Sequence, residues 1–464
     1  MLKYYFQVLI SVTKTMLIPR HWMRRASFSE QQHRGWDWEL AAIALIYFVQ
    51  GALGLAHLAI SFFLKDELGL SPAQTASLVG IAMLPWTVKP LYGMISDALP
   101  LWGYRRRPYL ILSSVLGASA WWALAYWVDS PQTAAVAIAG GSLGIACADA
   151  ITDALIVQRA REEADGDAGS LQSFGWACVS IGAIASSWLS GYLLEHLGAR
   201  NVFSITGFLP VLVGIAAWAI ADPRLPLSEP WLQTLKTNLG HIKQAFTNRQ
   251  ILLPASFIFL WQATPSAEAA FFYFTTNELG FNPEFLGSVR LGTSIAGLFG
   301  VWLFQRFLKH IPLRQIFLWT TVIATLLGLT SLVLVNHWNR ALGISDRWFS
   351  FGDSLILTVA GRIAFMPVLV LAARLCPQGI EATLFALLMS AINISSLVSA
   401  QLGAGLTYLL GVTETNFTNL WLLLLITNLS SLLPLPLLHW LSPAEQPKVL
   451  LDIENTSSKV PTVT

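Results

Sequence analysis

QGALGLAHLAISFFLKDELGLSP, residues 50–72, is an oily run that ends in a charged, turn-forming cluster, and the chain repeats it. QATPSAEAAFFYFTTNELGFNP, residues 262–283, places Glu278, Leu279, Gly280 and Pro283 where the first run has Glu67, Leu68, Gly69 and Pro72, each 211 residues further on. GSL at 141–143 and DSL at 353–355 fall at a similar separation. Shared length, phase and motif order mark a duplicated unit, which a single matching tripeptide would not.

What is duplicated is a set of membrane spans. Hydrophobic residues make up 55% of the 464 and mean hydropathy is strongly positive, outside the range of soluble domains. A bilayer core of roughly 30 Å needs about 20 apolar residues per helix. Twelve such runs lie between polar breaks, near 39–64, 72–99, 108–128, 131–158, 170–196, 200–221, 251–276, 283–307, 312–335, 350–375, 380–410 and 416–441. The expected fold is an all-α integral membrane protein with about 12 transmembrane helices in two six-helix halves, 39–221 and 251–441. A cytosolic N-terminal arm (1–38), a cytosolic linker (222–250) and a flexible C-terminal tail (442–464) complete the expected division.

Arginine and lysine collect in alternate connections: the N-terminal arm, Arg105 to Arg107, Arg159 and Arg161, the 222–250 linker, Arg306 to Arg314, and Arg374. The positive-inside rule puts those connections and both termini in the cytosol. Arg340 and Arg347 run against the pattern, on the expected outside. The net charge of +2 supplies no basic field for nucleic acid. Cys147, Cys178 and Cys376 lie singly, with no disulfide framework or zinc spacing.

The second predicted helix runs into LPWTVKPLYGMISDALPLWGYRRRPYL, residues 84–110, where Gly93 and Asp97 precede Gly103 and Arg105, Arg106 and Arg107. This resembles the cytoplasmic signature of the major facilitator superfamily, with about three extra residues between the aspartate and the second glycine. The resemblance implies a charge latch that holds one access state closed, in which Gly93 permits close helix approach. Lys89, between Pro85 and Pro90, is expected to counter Asp97 or a carboxylate on the fourth helix and is grouped with this gate.

KPLYGMISDALPLWGYRRRPYL (89–110), CADAITDALIVQRAREE (147–163) and QATPSAEAAFFYFTTNELGFNPEFLG (262–287) together resemble the folate-biopterin transporter family within that superfamily, and the likeness runs from about Trp38 to Trp440. It implies a carrier of folates, pterins or antifolates in the plasma membrane of a cyanobacterium or in a plastid envelope.

Counting about 1.5 Å per residue from the predicted helix ends puts Asp149, Glu268 and Arg362 near mid-bilayer on the fourth, seventh and tenth helices. In the resembled superfamily those helices and the first line the central cavity. An isolated charge there costs at least about 2.5–3.5 kcal/mol, so each must pair, protonate or face water. Gln50, Asp149, Gln262, Glu268 and Arg362 are the expected substrate-binding residues. Asp149 and Asp153 share a helix face, where two carboxylates cannot both ionise cheaply, and form the expected proton-coupling pair. Arg290 is placed to meet Glu278 or the substrate, His57 is more simply a helix histidine with a local partner, and Trp86, Phe271, Phe272 and Tyr273 are candidate stacking groups.

The expected activity is secondary active, proton-coupled transport by alternating access, with folate or pterin compounds, protons and the bilayer as partners. A monomer is expected, with no cofactor, metal or nucleic acid. No Gly-Lys pair exists to build a phosphate-binding loop, and no nucleophile or metal cluster suggests an enzyme. A carrier of another small solute such as a sugar, and a non-transporting membrane receptor, are the competing readings.

Overall fold

The computed structural model describes residues 30–162, 170–222, 224, 249–308, 311–374 and 381–441; side chains begin at Trp38 and exclude those at 157–162, 170–173, 250, 370, 372–374 and 381–386. Most of the expected arm and linker, the whole C-terminal tail, Cys376, and the side chains of Arg159, Arg161 and Arg374 therefore lie outside the described residues.

The described residues form helices and no β-strand, with one isolated bridge between Leu101 and Tyr104. Ten helices are long and apolar enough to cross a membrane. In chain order they are α1 (Trp38–Glu67), α3 (Arg107–Tyr126), α4 (Pro131–Glu162), α5 (Ser170–Leu197), α6 (Ala199–Ala219), α8 (Pro283–Leu308), α9 (Leu313–Val335), α10 (Asp346–Arg374), α11 (Glu381–Leu409) and α12 (Leu420–Leu441). The second and seventh expected spans are broken. α2 runs as Pro72–Ala82, Leu84–Thr87 and Lys89–Ala98, and α7 as Arg249–Gln262, then Glu268–Tyr273 and Phe274–Glu278. Proline accounts for the breaks: it lacks an N–H and pushes the residue before it out of the helical region, and Pro85, Pro90 and Pro265 sit at or beside each interruption.

The repeated stretch folds the same way twice. α1 and α7 both end in a π-turn, Phe63–Glu67 and Phe274–Glu278. Leu68 N–H donates to the Phe63 carbonyl (3.0 Å) and Leu279 N–H to the Phe274 carbonyl (3.1 Å). Gly69 and Gly280 follow at φ +63° and +65°, a conformation that side chains resist, which is why glycine recurs there. Ser71 and Asn282 then cap helices whose first residues are Pro72 and Pro283, since proline's missing N–H is no loss at that position.

α1, α3, α4 and α6 contribute to one core, in which Phe203 packs against both Phe63 and Trp121, while Phe257, Phe317 and Trp261 form the corresponding aromatic core of the second half. The halves meet through α2 against α11 and α5 against α8, pairs that the repeat relates to each other. At Gly191 of α5 a side-chain carbon would lie 2.2 Å from the Pro283 carbonyl oxygen of α8, and Gly287 faces it across the contact. Hydrogen bonds between the halves include Lys65 to Asn277 (2.9 Å) and Tyr273 to the Leu70 carbonyl (2.5 Å) at the end carrying the two repeated turns and, further in, Ser187 with Ser294 (2.9 Å) and Asn393 to the Trp86 carbonyl (2.9 Å). Exposed Tyr126, Trp127, Trp348 and Tyr408 near that end, and Trp102, Trp218 and Phe307 near the other, are placed as interfacial belts.

Candidate functional site

The interruption of α2 delivers its lysine. Lys89 opens the last piece, and its ammonium lies between two carboxylates of α4, ion-paired with Asp149 and 2.7 Å from Asp153. Tyr47 of α1 donates its hydroxyl to the other oxygen of Asp153 (2.7 Å), so that carboxylate is held from two sides. Gln50, one turn along α1, turns its buried side-chain amide toward Asp149. Of the two partners expected for Lys89, the structure selects the helix-four carboxylates and not Asp97. With both acids ionised the cluster carries one net negative charge.

The expected latch residues hold one another within the first half. Asp97 pairs with Arg106 (2.7 Å), which also donates to Ser96 Oγ (2.8 Å). Asp222, which sequence reasoning missed, accepts the backbone N–H groups of Arg105 (3.3 Å), Arg106 (2.7 Å) and Arg107 (2.9 Å). Arg107 donates onward to the Ile220 carbonyl (3.0 Å) and lies over the Tyr104 and Trp218 rings. The close approach expected at Gly93 is absent, because a side-chain carbon there would meet nothing within 4 Å. Chain length between Asp97 and the arginines explains this: the extra residues form a turn at Trp102 and Gly103, which lets Arg106 fold back onto its own helix end.

In the second half the charges are differently placed. α7 is unwound over 263–267, and α11 satisfies part of the freed backbone: Ser399 Oγ donates to the Thr264 carbonyl (2.5 Å) and Ser266 N–H to the Ser399 carbonyl (3.2 Å). Irregular backbone at membrane depth is tolerated only where protein or water covers it. The helix resumes at Glu268, whose exposed side chain has no hydrogen-bond or ion-pair partner among the described residues. Beside it, between α7, α9, α10 and α12, opens a cavity of about 480 Å³ lined by Trp261, Glu268, Phe271, Thr321, Thr427 and Asn428 among others. Gln262, at the end of the first piece of α7, keeps a buried amide nitrogen without a partner.

Arg362 of α10 is exposed, lies 3.3 Å (Nε) from where a side-chain carbon on Gly297 of α8 would stand, and forms no ion pair among the described residues. Arg290 of α8 donates to His57 Nδ1 of α1 (3.3 Å) and lies within electrostatic reach of Glu268, not against Glu278. The structure thus separates Asp149 and Arg362, which bear charge on opposite halves without touching. Of the candidate stacking residues, Tyr273 is buried in hydrogen bonds to Leu70 and Thr75, Phe272 packs edge-on against Phe62, and Phe271 lines the cavity. Arg340 pairs with Asp346 (2.8 Å) and Arg347 lies over the Phe285 ring, so the charges that ran against the topology pattern are locally engaged. No group of His, Cys, Asp and Glu spaced for a metal occurs among the described residues.

Two repeat-related helical bundles with ten apolar membrane-spanning helices form a multi-pass membrane protein of the major facilitator fold, and solved structures share that fold. The nucleoside transporter NupG superposes with a TM-score of 0.65 at 15% identity, over 88% of this chain and 99% of that one. The xylose transporter XylE from E. coli, inward open, gives 0.60 at 14% identity, over 90% and 98%. Such identities carry the fold alone. The chain belongs to the BT1 family, whose model matches residues 50–462. It is 57% identical to a folate-biopterin transporter of Synechocystis sp. over 89% of this chain and 83% of that protein. A probable folate-biopterin transporter 2 of Arabidopsis thaliana is 31% identical over 92% and 86%, and folate transporter 1 of Plasmodium falciparum is 31% identical over 88% and 80%.

Proposed function

We propose that this protein carries folate or pterin compounds across its membrane by alternating access, coupled to protons. The observation that carries this reading is the split of charge: Lys89 engages the acids of the first half, whereas Arg362 and Glu268 in the second form no ion pair or side-chain hydrogen bond among the described residues. Unpaired charge at membrane depth is stable only against water or a ligand. A folate supplies complementary groups, tail carboxylates for the Arg362 fork and ring N–H donors for an acid. The buried amide nitrogen of Gln262 is free to donate to a ligand carbonyl. The relatives' names supply the cargo class.

Asp149 and Asp153 fit the coupling role because one lysine cannot neutralise both. Protonating one carboxylate converts the cluster to a neutral ion pair, which is cheaper to bury when the halves close over it. Lys89 and Tyr47 then orient the remaining charge, and Gly93, Asp97 and Arg105 to Arg107 bias the cytoplasmic end. The units 39–221 and 251–441 are the rocking bodies of a monomer that needs no nucleic acid. Both termini face the cytosol or stroma, in a cyanobacterial plasma membrane or a plastid envelope, a topology supported by the local engagement of Arg340 and Arg347. Vesicles reconstituted with the protein should accumulate labelled folic acid when a pH gradient is imposed. Equal uptake by protein-free vesicles would overturn the reading.

A further inference from the structure

We infer that the cavity at the break of α7 is the seat of the ligand's heterocyclic ring, with Glu268 as the group that recognises it; this rests on the folate and pterin reading above. The repeat provides an internal control. The space between α1, α3, α4 and α6 is the counterpart of the space between α7, α9, α10 and α12, since the second set follows the first six helices later. In the first half Ile46, Val49, Leu53, Pro210 and Val213 fill it to about 20 Å³. In the second half threonine, serine and asparagine line about 480 Å³, within the range of roughly 300–1,000 Å³ typical of small-molecule sites.

α1 only kinks at Leu53 and Gly54, whereas α7 is unwound over the corresponding 263–267, which opens the space beside Glu268. Broken helices in transporters mark binding sites because the half-helix ends and freed backbone face the cargo. The cavity's hydroxyls are largely occupied: Trp261 Nε1 donates to Thr321 (2.9 Å) and Thr325 bonds with Ser431 (2.6 Å). The Glu268 carboxylate is the charged group on the lining, and it is unpaired among the described residues. A 2-amino-4-oxopteridine presents its exocyclic amine and adjacent ring N–H side by side, a match to two carboxylate oxygens, with Trp261 and Phe271 supplying flat apolar walls. Asp149 is unsuited to this task, being engaged by Lys89. No arginine lines the cavity among the described residues, so the anionic tail projects out of it toward Arg290 and Arg362.

The test separates the two ends of the ligand. Binding of pterin and of p-aminobenzoylglutamate to the purified full-length protein is followed by fluorescence for the wild type, for Ala324→Trp, which fills the cavity from α9, and for Glu268→Gln. Each variant should weaken pterin binding about tenfold or more, the scale of one lost charge-assisted hydrogen bond, and alter p-aminobenzoylglutamate binding less than about twofold. Unchanged pterin binding, parallel weakening of both ligands, or no pterin binding by the wild type overturns the assignment. Should Ala324→Trp fail to fold, Glu268→Gln, exposed and nearly isosteric, decides by the same criteria. A wild type that binds pterin but moves neither folate nor pterin in vesicles would refute the transport reading and leave the cavity assignment standing.

Discussion

The two halves descend from one pattern, yet they treat charge in opposite ways. In the first, Lys89, Asp149, Asp153 and Tyr47 form a closed set in which each charged group has a partner, and the adjoining cavity is packed shut. In the second, Arg362 and Glu268 form no ion pair or side-chain hydrogen bond among the described residues, Glu268 lines open space, and Arg290 leans on a histidine of the other half. On the proposed reading, the paired set stores a proton and the unpaired set takes cargo. Duplication would then have supplied two equivalent scaffolds, between which the substitutions that distinguish them divide the labour.

The contrast breaks most readily at Lys89. Lys89→Met leaves the largely buried Asp149 carboxylate with no counterion, and removing one partner of a buried pair typically costs about 3–5 kcal/mol, whereas the more exposed Asp153 keeps Tyr47. Arg362→Met removes a charge that has no partner among the described residues, so its melting should stay near the wild type. Thermal melts of both purified variants check this, and equal destabilisation would erase the distinction between the halves.

Asp149→Asn should abolish accumulation driven by a pH gradient while preserving exchange of labelled for unlabelled substrate, since exchange moves no net proton. The two assays run on the same vesicles. A variant that still accumulates with the wild-type response to the gradient would transfer the coupling role to Glu268.

Arg362→Lys retains the charge and loses the planar fork that grips a carboxylate at two points. Uptake should fall about tenfold or more, the scale of a lost charge-assisted contact, with insertion into the membrane nearly unchanged, as judged by transport per molecule of surface-labelled protein. Normal kinetics would remove the clamp.

The smallest effect is expected at Asp97, which is about half exposed, with a side-chain exposure of 46%, and whose partner Arg106 has other contacts. Asp97→Asn should lower turnover a few-fold and by a similar factor for every substrate, with equilibrium affinity intact, because exposed ion pairs contribute about 1 kcal/mol or less. A selective loss of affinity for one ligand would show that the latch contacts cargo.

Ten of the twelve expected spans were legible because a helix in lipid announces itself by length and hydropathy, and the duplication because the Glu-Leu-Gly turn and its proline have local geometric duties. Asp149, Asp153, Glu268 and Arg362 were legible as charges in oil. Their partners were not: Tyr47 reads as one more aromatic, and Asp222 as part of a polar linker. The α7 break carried a usable signal in Thr264-Pro265-Ser266, a proline flanked by residues that bond to backbone, but hydropathy averaged over a window smooths it away. The cavity was invisible because volume depends on which side chains from four separate helices converge, information that no local stretch contains. Gly93 misled for a related reason: a glycine in a helix signals permission for close approach, not the presence of a neighbour.

Where α5 meets α8, the backbone at Gly191 touches Pro283 and Gly287 almost directly. Such a junction interlocks few side chains and is held by close backbone packing, with the single Ser187–Ser294 side-chain hydrogen bond across it among the described residues. If lipid tails re-cover the parted surfaces, separating them carries little penalty, and the proposed alternating access requires the closed and parted arrangements to lie near one another in free energy. Two conformers separated by a few kcal/mol are both populated, and a ligand or a proton with a modest preference for one shifts the balance. A bulky residue at Gly191 would favour the parted conformer before any cargo arrived, turning a gate into a leak.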